Sequence, residues 1–262
     1  MIIRTTNIKE KRMPYYEEVC MAGKTIEYCK YHSYRYPCKG ERRGKKIKVT
    51  CETQEKINQR QAEKKLRRLM NHNFCDDDYL IKLDYKLHLR PKSSIEMQKD
   101  MTVFLKKIRK IYKKSGMILK YIYVKEIGPR GASHVHMMIS NCGDKNIATI
   151  LKECWDKGGI HIDPLNTNGQ YAKIASYFIK YADKTVKTEG KLVGKRYYPS
   201  RNLERPKVIK RIIRGVNTFY EKIKKKKGYY LEKDSVISGQ TRDGYDYFSY
   251  TLHEIEDIRK RE

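Results

Sequence analysis

The sequence predicts an α+β fold built around an antiparallel sheet, and three observations support this prediction. Residues 79–88 alternate between apolar and polar side chains, as a half-buried strand does. Residues 97–111 carry an apolar side chain at every third or fourth position, as an amphipathic helix does. From residue 79 onward, segments of these two kinds follow in the order strand, helix, strand, strand, helix, strand, helix. Chains with this order form antiparallel sheets with helices on one face.

Local signals mark the first elements. Residues 53–70 favour a helix, because their apolar side chains can share one face while most arginines and lysines stay outside it. After the strand at residues 79–88, Ser93-x-x-Glu96 is a capping box that opens the next helix. That helix is expected to end near Ser115-Gly116.

A hairpin follows this helix. The strand MILKYIYVKE ends at Glu126, and the turn Gly128-Pro129-Arg130-Gly131 folds it into a second strand that contains His134 and His136. The remaining segments are a helix at residues 147–155, a short strand at 159–162 and a helix at 171–184. The complete order, βαββαβα, predicts a ferredoxin-like or RRM-like (RNA-recognition-motif-like) sheet with helices.

The chain extends beyond this sheet on both sides. We predict a basic N-terminal segment (residues 1–52) with a hairpin around Ala22-Gly23-Lys24, a central domain (53–215) that contains this sheet and a C-terminal extension (216–262). Beyond Pro206, apolar side chains at helical spacing predict one long amphipathic helix, so that the extension is helical. These side chains are Val208, Ile209, Ile212, Ile213, Val216, Phe219, Tyr220 and Ile223.

The charge of the chain points to a polyanionic partner. Lysine and arginine together number 59 against 31 acidic residues, which gives a formal net charge of +28. AT-rich coding DNA would supply many lysines, but it does not explain why acidic residues are so far outnumbered. Nucleic acid is the expected partner, and an anionic membrane surface is the alternative.

The same composition bears on the compartment. Neither a signal peptide nor a membrane-spanning run is recognisable in the sequence. The seven cysteines are scattered and odd in number, which fits a reducing cytoplasm better than a disulfide framework. We therefore expect a cytoplasmic protein that does not associate with membranes.

The first candidate site is the pair His134 and His136. In a strand, residues i and i+2 point to the same face, so these two imidazoles project side by side. Each could instead be a solvent-facing or hydrogen-bonded core residue, and a bare H-x-H is a weak motif. Glu126 lies eight residues earlier, just before the tight turn, and could reach the same face. Two imidazoles and a carboxylate form a plausible catalytic metal site.

The second candidate site is the segment Tyr177-x-x-Lys180-Tyr181-x-x-Lys184. On a helix, Tyr177 and Tyr181 lie one turn apart, with Cβ atoms about 5–6 Å from each other. Tyrosines at helical spacing are usually core residues with solvated hydroxyls. A nearby lysine or metal ion would, however, help a phenol to lose its proton and act as a nucleophile.

Together these motifs resemble those of the HUH endonuclease superfamily, and more narrowly those of rolling-circle replication initiators (Rep proteins) of plasmids and single-stranded DNA phages. His134-Val135-His136 matches the histidine–hydrophobic–histidine motif, and Glu126 stands where many members place a third metal ligand. Residues 177–184 resemble the two-tyrosine nucleophile motif. The stretch GKRYYPSRNLERP (194–206) is similar to a segment of phage-type Rep proteins.

The resemblance implies a reaction on single-stranded DNA. Mn²⁺ or Mg²⁺ held by His134, His136 and Glu126 would polarise the scissile phosphate. A tyrosine would attack phosphorus, which leaves a 5′-phosphotyrosine on the protein and a free 3′-OH. Tyr177 is the expected first nucleophile and Tyr181 the second, with Lys180 and Lys184 neutralising charge.

The resemblance also implies partners. These are single-stranded DNA, the origin duplex, a host polymerase and, since the sequence lacks a G-x-x-x-x-G-K-[ST] motif, supercoiling or a host helicase to open the duplex. Several basic and aromatic residues are candidates for holding phosphates or stacking on unpaired bases, although each alone could be a solvated surface residue. They are Arg130, Lys195, Arg196, Tyr197, Tyr198, Arg201 and Arg205.

Three alternatives remain at this stage, one of which is a basic scaffold that contacts DNA nonspecifically. A conjugative relaxase or a transposase would use the same nicking chemistry. A non-catalytic RRM-like protein would share the element order and the basic surface. It would need exposed aromatic side chains on its central strands, where this chain has His-x-His.

Overall fold

A computed structural model describes residues 15–32, 51–143, 145–213, 222–240 and 245–255. These residues form two antiparallel five-stranded sheets and four α-helices, which confirms the α+β prediction. The helices are α1 (Cys51–Asn73), α2 (Ser94–Lys114), α3 (Ile147–Cys154) and α4 (Ala172–Glu189). The strands are β1 (Tyr15–Ala22), β2 (Thr25–His32), β3 (Tyr79–Asp84), β4 (Tyr121–Ile127), β5 (Ser133–Ile139), β6 (Ile160–Pro164), β7 (Tyr198–Pro199), β8 (Lys207–Ile213), β9 (Tyr229–Gln240) and β10 (Asp246–Glu254).

The chain divides into two compact units. One comprises residues 22–24 and 49–206, and the other comprises residues 1–21, 25–48 and 207–262. No helix in the described part of the chain is both long enough and apolar enough to cross a membrane.

The sheet of the first unit has the strand order β6-β3-β5-β4-β7. Its first four strands, with α2 and α3, form the predicted βαββαβ arrangement, in which β3 lies between β5 and β6. The apolar stripe of α2, including Met101 and Ile108, packs with Ile81 and Met137 of the sheet into one core. The helix begins as its sequence predicts, because the Ser93 hydroxyl accepts a hydrogen bond from the Glu96 amide at 3.3 Å.

The opposite face of this sheet is also covered. Ile122, Val124 and Met138 project to this side and form a second core with Leu66 of α1 and Phe178 of α4. The expectation of helices on one face therefore describes only α2 and α3. The apolar faces of α1 and α4 cover the other face of the sheet, whose strands carry apolar side chains on both sides. His134 and His136 lie on this second face, since they alternate with Val135 and share the side of Met138.

The strand predicted at residues 79–88 is shorter than expected. β3 ends at Asp84, and Leu87–Leu89 form a short 3₁₀ helix. The backbone is diverted because the Lys86 amide donates a hydrogen bond to the Lys157 carbonyl at 2.8 Å.

The sheet of the second unit has the order β8-β1-β2-β10-β9. The hairpin predicted around Ala22-Gly23-Lys24 joins β1 to β2, and Gly23 has the positive φ (53°) that such a turn requires. Residues 1–14 and 33–50 of the predicted basic N-terminal segment lie outside the described residues.

The predicted long helix after Pro206 is wrong. Residues 207–213 form β8, which pairs antiparallel with β1, and the described part of the C-terminal extension forms β9 and β10. Valine and isoleucine at positions 208, 209, 212 and 213 fit a helical stripe and a pleated strand alike, and pairing with a distant strand decides the outcome. Residues 216, 219 and 220 of the predicted helix lie outside the described residues.

Packing of α2 on the sheet predicts unequal effects of two alanine substitutions. Ile108 is fully buried and Val103 is 55% exposed. Ile108→Ala should lower the free energy of unfolding by about 2–5 kcal/mol, because it leaves a cavity. Val103→Ala should change it by no more than about 0.5 kcal/mol. Urea unfolding followed by the fluorescence of Trp155, the single tryptophan, which packs in this core, measures both. Equal losses of stability in the two variants would contradict the burial of Ile108 and the exposure of Val103 on α2.

Candidate active site

The β4–β5 hairpin brings the predicted carboxylate and histidines onto one face of the sheet. Glu126 of β4 lies directly opposite His134 of β5 in the antiparallel register. The turn is closed by a hydrogen bond from the Gly128 amide to the Ala132 carbonyl at 2.8 Å. Gly131 adopts a φ of 71°, which glycine tolerates without strain. The tight turn thus sets the register that the candidate site requires.

Glu126 is the most tightly held member of the site. Its side chain is 9% exposed, and its two oxygens have different partners. Oε2 lies 2.7 Å from Nε2 of His136, and Oε1 accepts a hydrogen bond from Nζ of Lys184 at 2.6 Å. Burial alone would raise the pKa of this carboxyl, but the hydrogen bonds from His136 and Lys184 lower it to about 2. The carboxylate therefore stays ionised, and the pairing in turn raises the pKa of Lys184.

A second carboxylate, Asp84, orients the other histidine. Oδ1 of Asp84 lies 2.6 Å from Nδ1 of His134, and its Oδ2 lies 2.9 Å from Nε2 of His161 on β6. Burial opposes ionisation of Asp84, but hydrogen bonds from His134 and Lys82 bring the pKa of its carboxyl below the usual value. A proton on Nδ1 of His134 leaves Nε2 with a lone pair for a metal ion.

Sequence reasoning did not identify Asp84 and His161. The strand at residues 79–88 presented Asp84 as one polar residue among several on an alternating strand, and His161 stood alone. Their meeting depends on β3 lying between β5 and β6, where Asp84 faces His134 in the register. The one signal available from the sequence was the alternation along β3. Lys82 and Asp84 alternate with the core residues Ile81 and Leu83, so their side chains point to the opposite face of the sheet.

Helix α4 carries the two tyrosines to this face. The hydroxyl of Thr185 accepts a hydrogen bond from the Ile127 amide at 2.9 Å and donates one to the Lys125 carbonyl at 2.9 Å, which anchors α4 along β4. The ring of Tyr181 stacks on the ring of His136, with centroids 3.9 Å apart and planes inclined by 9°.

The other members of the tyrosine motif lie around this stack. Tyr177 is 54% exposed, and its ring centroid lies 6.4 Å from that of Tyr181. Nζ of Lys184 lies 5.2 Å from the centroid of Tyr181, whereas Lys180 is exposed to solvent. One tyrosine is thus packed on the predicted site and the other is open to a substrate.

The side chains on this face suit a divalent cation. Two imidazoles and a carboxylate are a donor set compatible with Mn²⁺, which accepts nitrogen ligands more readily than Mg²⁺ does. Within the described residues, no three acidic, histidine or cysteine side chains already converge as a ligand cluster. Instead, the cationic Lys184 and the hydrogen bond from His136 satisfy the charge of Glu126. A metal ion would take over that neutralisation, and both contacts would have to open.

The predicted nucleic-acid contacts are distributed differently. Arg130, in the β4–β5 turn, and Lys195, Arg201 and Arg205 are exposed. Arg196 is instead held in ion pairs with Asp183 and, at 3.8 Å, with Glu55.

Tyr197 and Tyr198, the two tyrosines among the predicted nucleic-acid contacts, are partly covered. Tyr197 is half-buried against the α1–α4 core, and burial raises the pKa of its phenol. Tyr198 pairs with Tyr123 in the sheet and stacks on its ring with centroids 4.9 Å apart. Tyr198 thus already has an aromatic partner.

The ion pairs of Glu126 predict a specific dependence of stability on pH. Because the pKa of the folded carboxyl lies below the ordinary value of 4.5, its contribution is present above pH 4.5 and disappears as the pH falls toward 2. Partial exposure of Lys184 weakens the pair, so we expect the free energy of unfolding to fall by about 2 kcal/mol on acidification. Urea unfolding in chelator at pH 6 and pH 3 measures this difference.

Two variants serve as controls for that measurement. Glu126→Gln should reduce the loss of stability between pH 6 and pH 3 by about this amount, whereas Glu153→Gln, at an exposed carboxyl of α3, should leave it unchanged. If Glu126→Gln kept the same dependence of stability on pH as the wild-type protein, the pairing of Glu126 with His136 and Lys184 would be contradicted.

The contact between Asp84 and His134 predicts the tautomer of the imidazole. Nitrogen NMR of the metal-free protein at neutral pH should show His134 protonated at Nδ1, because that proton is donated to Asp84. In Asp84→Ala, the Nε2-protonated tautomer should become populated. An unchanged spectrum in this variant would contradict the assigned role of Asp84.

Comparison with known proteins finds a family match over part of the chain. Residues 78–186 match a family model described as replication-associated protein ORF2. The matched region runs from the start of β3 into α4 and includes Glu126, both histidines and both tyrosines. No curated protein and no solved structure matches the chain. The match supports a replication initiator of the Rep type.

Proposed function

We propose that the protein is a replication initiator endonuclease that nicks single-stranded origin DNA by attack of a tyrosine on phosphorus. The observation that carries this proposal is the stacking of Tyr181 on His136, which lays the helix with the two tyrosines against the face with Glu126. Nucleophile candidates and metal-ligand candidates from separate parts of the sequence thus form one site. The match to a replication-associated family supports the same reaction.

The proposed step is a transesterification. The Tyr177 phenol oxygen forms a bond to the scissile phosphorus while the bond from phosphorus to the 3′ oxygen breaks. The phenol loses its proton and the departing 3′ oxygen gains one, so that the products are a 5′-phosphotyrosine and a free 3′-OH. Tyr177 acts first in this proposal because its exposed side chain is accessible to the strand. Tyr181 serves the second transfer, which rejoins the strand.

The surrounding residues have separate tasks in this reaction. His134, His136 and Glu126 would hold Mn²⁺ or Mg²⁺, and the bound ion would supply Lewis-acid polarisation of the phosphate. Asp84 positions His134 through its Nδ1 proton. Lys184, once released from Glu126, and Lys180 place positive charge beside the phenolate and the phosphate.

A non-catalytic RRM-like binder is the alternative from another class. That mode of binding requires exposed aromatic side chains on the central strands of the sheet. In this chain β5 carries His134 and His136 there, and α4 covers the face. These features support the enzyme rather than the binder. A relaxase or transposase would share the chemistry and differ in its DNA substrate.

An adduct assay tests the proposal. The protein with Mn²⁺ and single-stranded oligonucleotides from its own replicon should form a protein–DNA adduct that survives denaturation. The double variant Tyr177→Phe/Tyr181→Phe should abolish the adduct, because phenylalanine has no oxygen nucleophile. Tyr230→Phe, at an exposed tyrosine of the other unit, is the matched control and should form it normally.

Two further results decide the site. Chelator and His136→Ala should each reduce adduct formation at least about 100-fold, as expected when electrostatic stabilisation of the reacting phosphate is lost. Failure to form an adduct with any origin sequence would overturn the nicking proposal. An adduct that persists in the double tyrosine variant would overturn the assignment of the nucleophiles.

A further inference from the structure

An open groove lies between α1 and the segment at residues 192–199. Its volume is about 500 Å³, which is within the range of ligand-binding clefts. Polar and aromatic side chains line both sides. They include Asn58, Gln61 and Lys65 from α1, and Lys195, Arg196 and Tyr197 from the opposite segment.

The α1 side of the groove offers unengaged polar groups. Gln61 and Lys65 lie one turn apart on the helix and are exposed. Within the described residues, neither side chain has a hydrogen-bond or ion-pair partner. A glutamine amide both donates and accepts hydrogen bonds, so it can pair with the edge of an unpaired base. Lys65 supplies a positive charge for a phosphate at the same place.

The opposite side supplies the rest of a nucleotide site. Tyr197 is half-buried, so its ring is held in place by the core while it borders the groove. A fixed aromatic ring is a platform on which an unpaired base can stack. Lys195 is exposed beside it and can contact the backbone of the strand. Base edge, base face and phosphate thus each have a suitable group.

The groove is tied directly to the helix with the tyrosines. Arg196 lines the groove and forms an ion pair with Asp183. Asp183 lies in α4 between Tyr181 and Lys184, which contact His136 and Glu126. This ion pair therefore joins the groove to the helix that carries the candidate nucleophiles.

We propose that this groove binds unpaired nucleotides of the origin strand and reads at least one base through Gln61. The inference rests on the proposed function for the position of the nick, but the binding itself needs no chemistry. The groove would thereby contribute the origin specificity that the phosphate-directed catalytic residues lack.

Binding measured without cleavage separates this inference from the nicking proposal. The full chain as Tyr177→Phe/Tyr181→Phe, in chelator, is titrated with fluorescent single-stranded oligonucleotides that differ by one base at each position around the origin nick. The unmodified groove should discriminate bases about tenfold at one or two positions. Gln61→Ala in this background should remove that discrimination.

The lysine variants provide a contrasting readout. Lys65→Ala should weaken all oligonucleotides equally and reduce the slope of log affinity against log salt by about 0.7, because one phosphate contact is lost. Lys99→Ala, at an exposed lysine of α2 that does not line the groove, is its matched control and should leave the slope unchanged.

Three results would overturn the inference. Retained base preference in Gln61→Ala, or equal slopes in Lys65→Ala and Lys99→Ala, would overturn it. Absence of any base preference in the unmodified groove would overturn it as well. An oligonucleotide preference that depends on Gln61, in a protein that never forms an adduct, would uphold the groove and remove the nicking proposal.

Discussion

A single buried carboxylate organises the candidate site. Glu126 is buried on a sheet face that also packs Ile122, Val124 and Met138 into the core, and an ionised carboxylate in such surroundings is costly unless it is paired. Its two partners come from different elements, His136 from β5 and Lys184 from α4. Satisfying one charge therefore joins the hairpin to the helix. Because Lys184 follows Tyr181 by three residues, the same pairing brings the tyrosine ring onto the histidine.

This arrangement connects stability with reactivity. Thr185 fixes α4 to the edge of β4 through backbone hydrogen bonds, so the helix keeps its position when the Lys184 contact opens. Lys184 thus stabilises the metal-free protein by pairing with Glu126, and in the proposed reaction it would be available to a phosphate once a cation replaced it. Asp84 extends the same logic across the sheet, since it links His134 on β5 to His161 on β6. The site occupies four adjacent strands and one helix.

The sequence revealed those features that depend on neighbours along the chain. Period-two and helical patterns located α1 to α4 and the strands β3 to β6, and the capping box at Ser93 marked the start of α2. A short turn was enough to place Glu126 beside the histidines. The motif spacing also predicted the helix with Tyr177 and Tyr181.

Features that depend on distant pairing were not predictable in the same way. β8 was expected to be helical, because its valines and isoleucines satisfy both periodicities and its partner β1 lies at the other end of the chain. Asp84 and His161 meet only through the strand order of the sheet. The covering of the second face by α1 and α4 likewise follows from tertiary packing, which also creates the groove beside Tyr197.

The proposed function requires that a tyrosine of α4 becomes covalently linked to DNA. Mass spectrometry of a tryptic digest of the nuclease-treated adduct tests this claim most directly, because trypsin separates the two candidates into the peptides 174–180 and 181–184. The proposed function predicts a nucleotide phosphate on Tyr177 or Tyr181 and on no other residue. A phosphate linked to a serine, a histidine or a tyrosine elsewhere in the chain would contradict it.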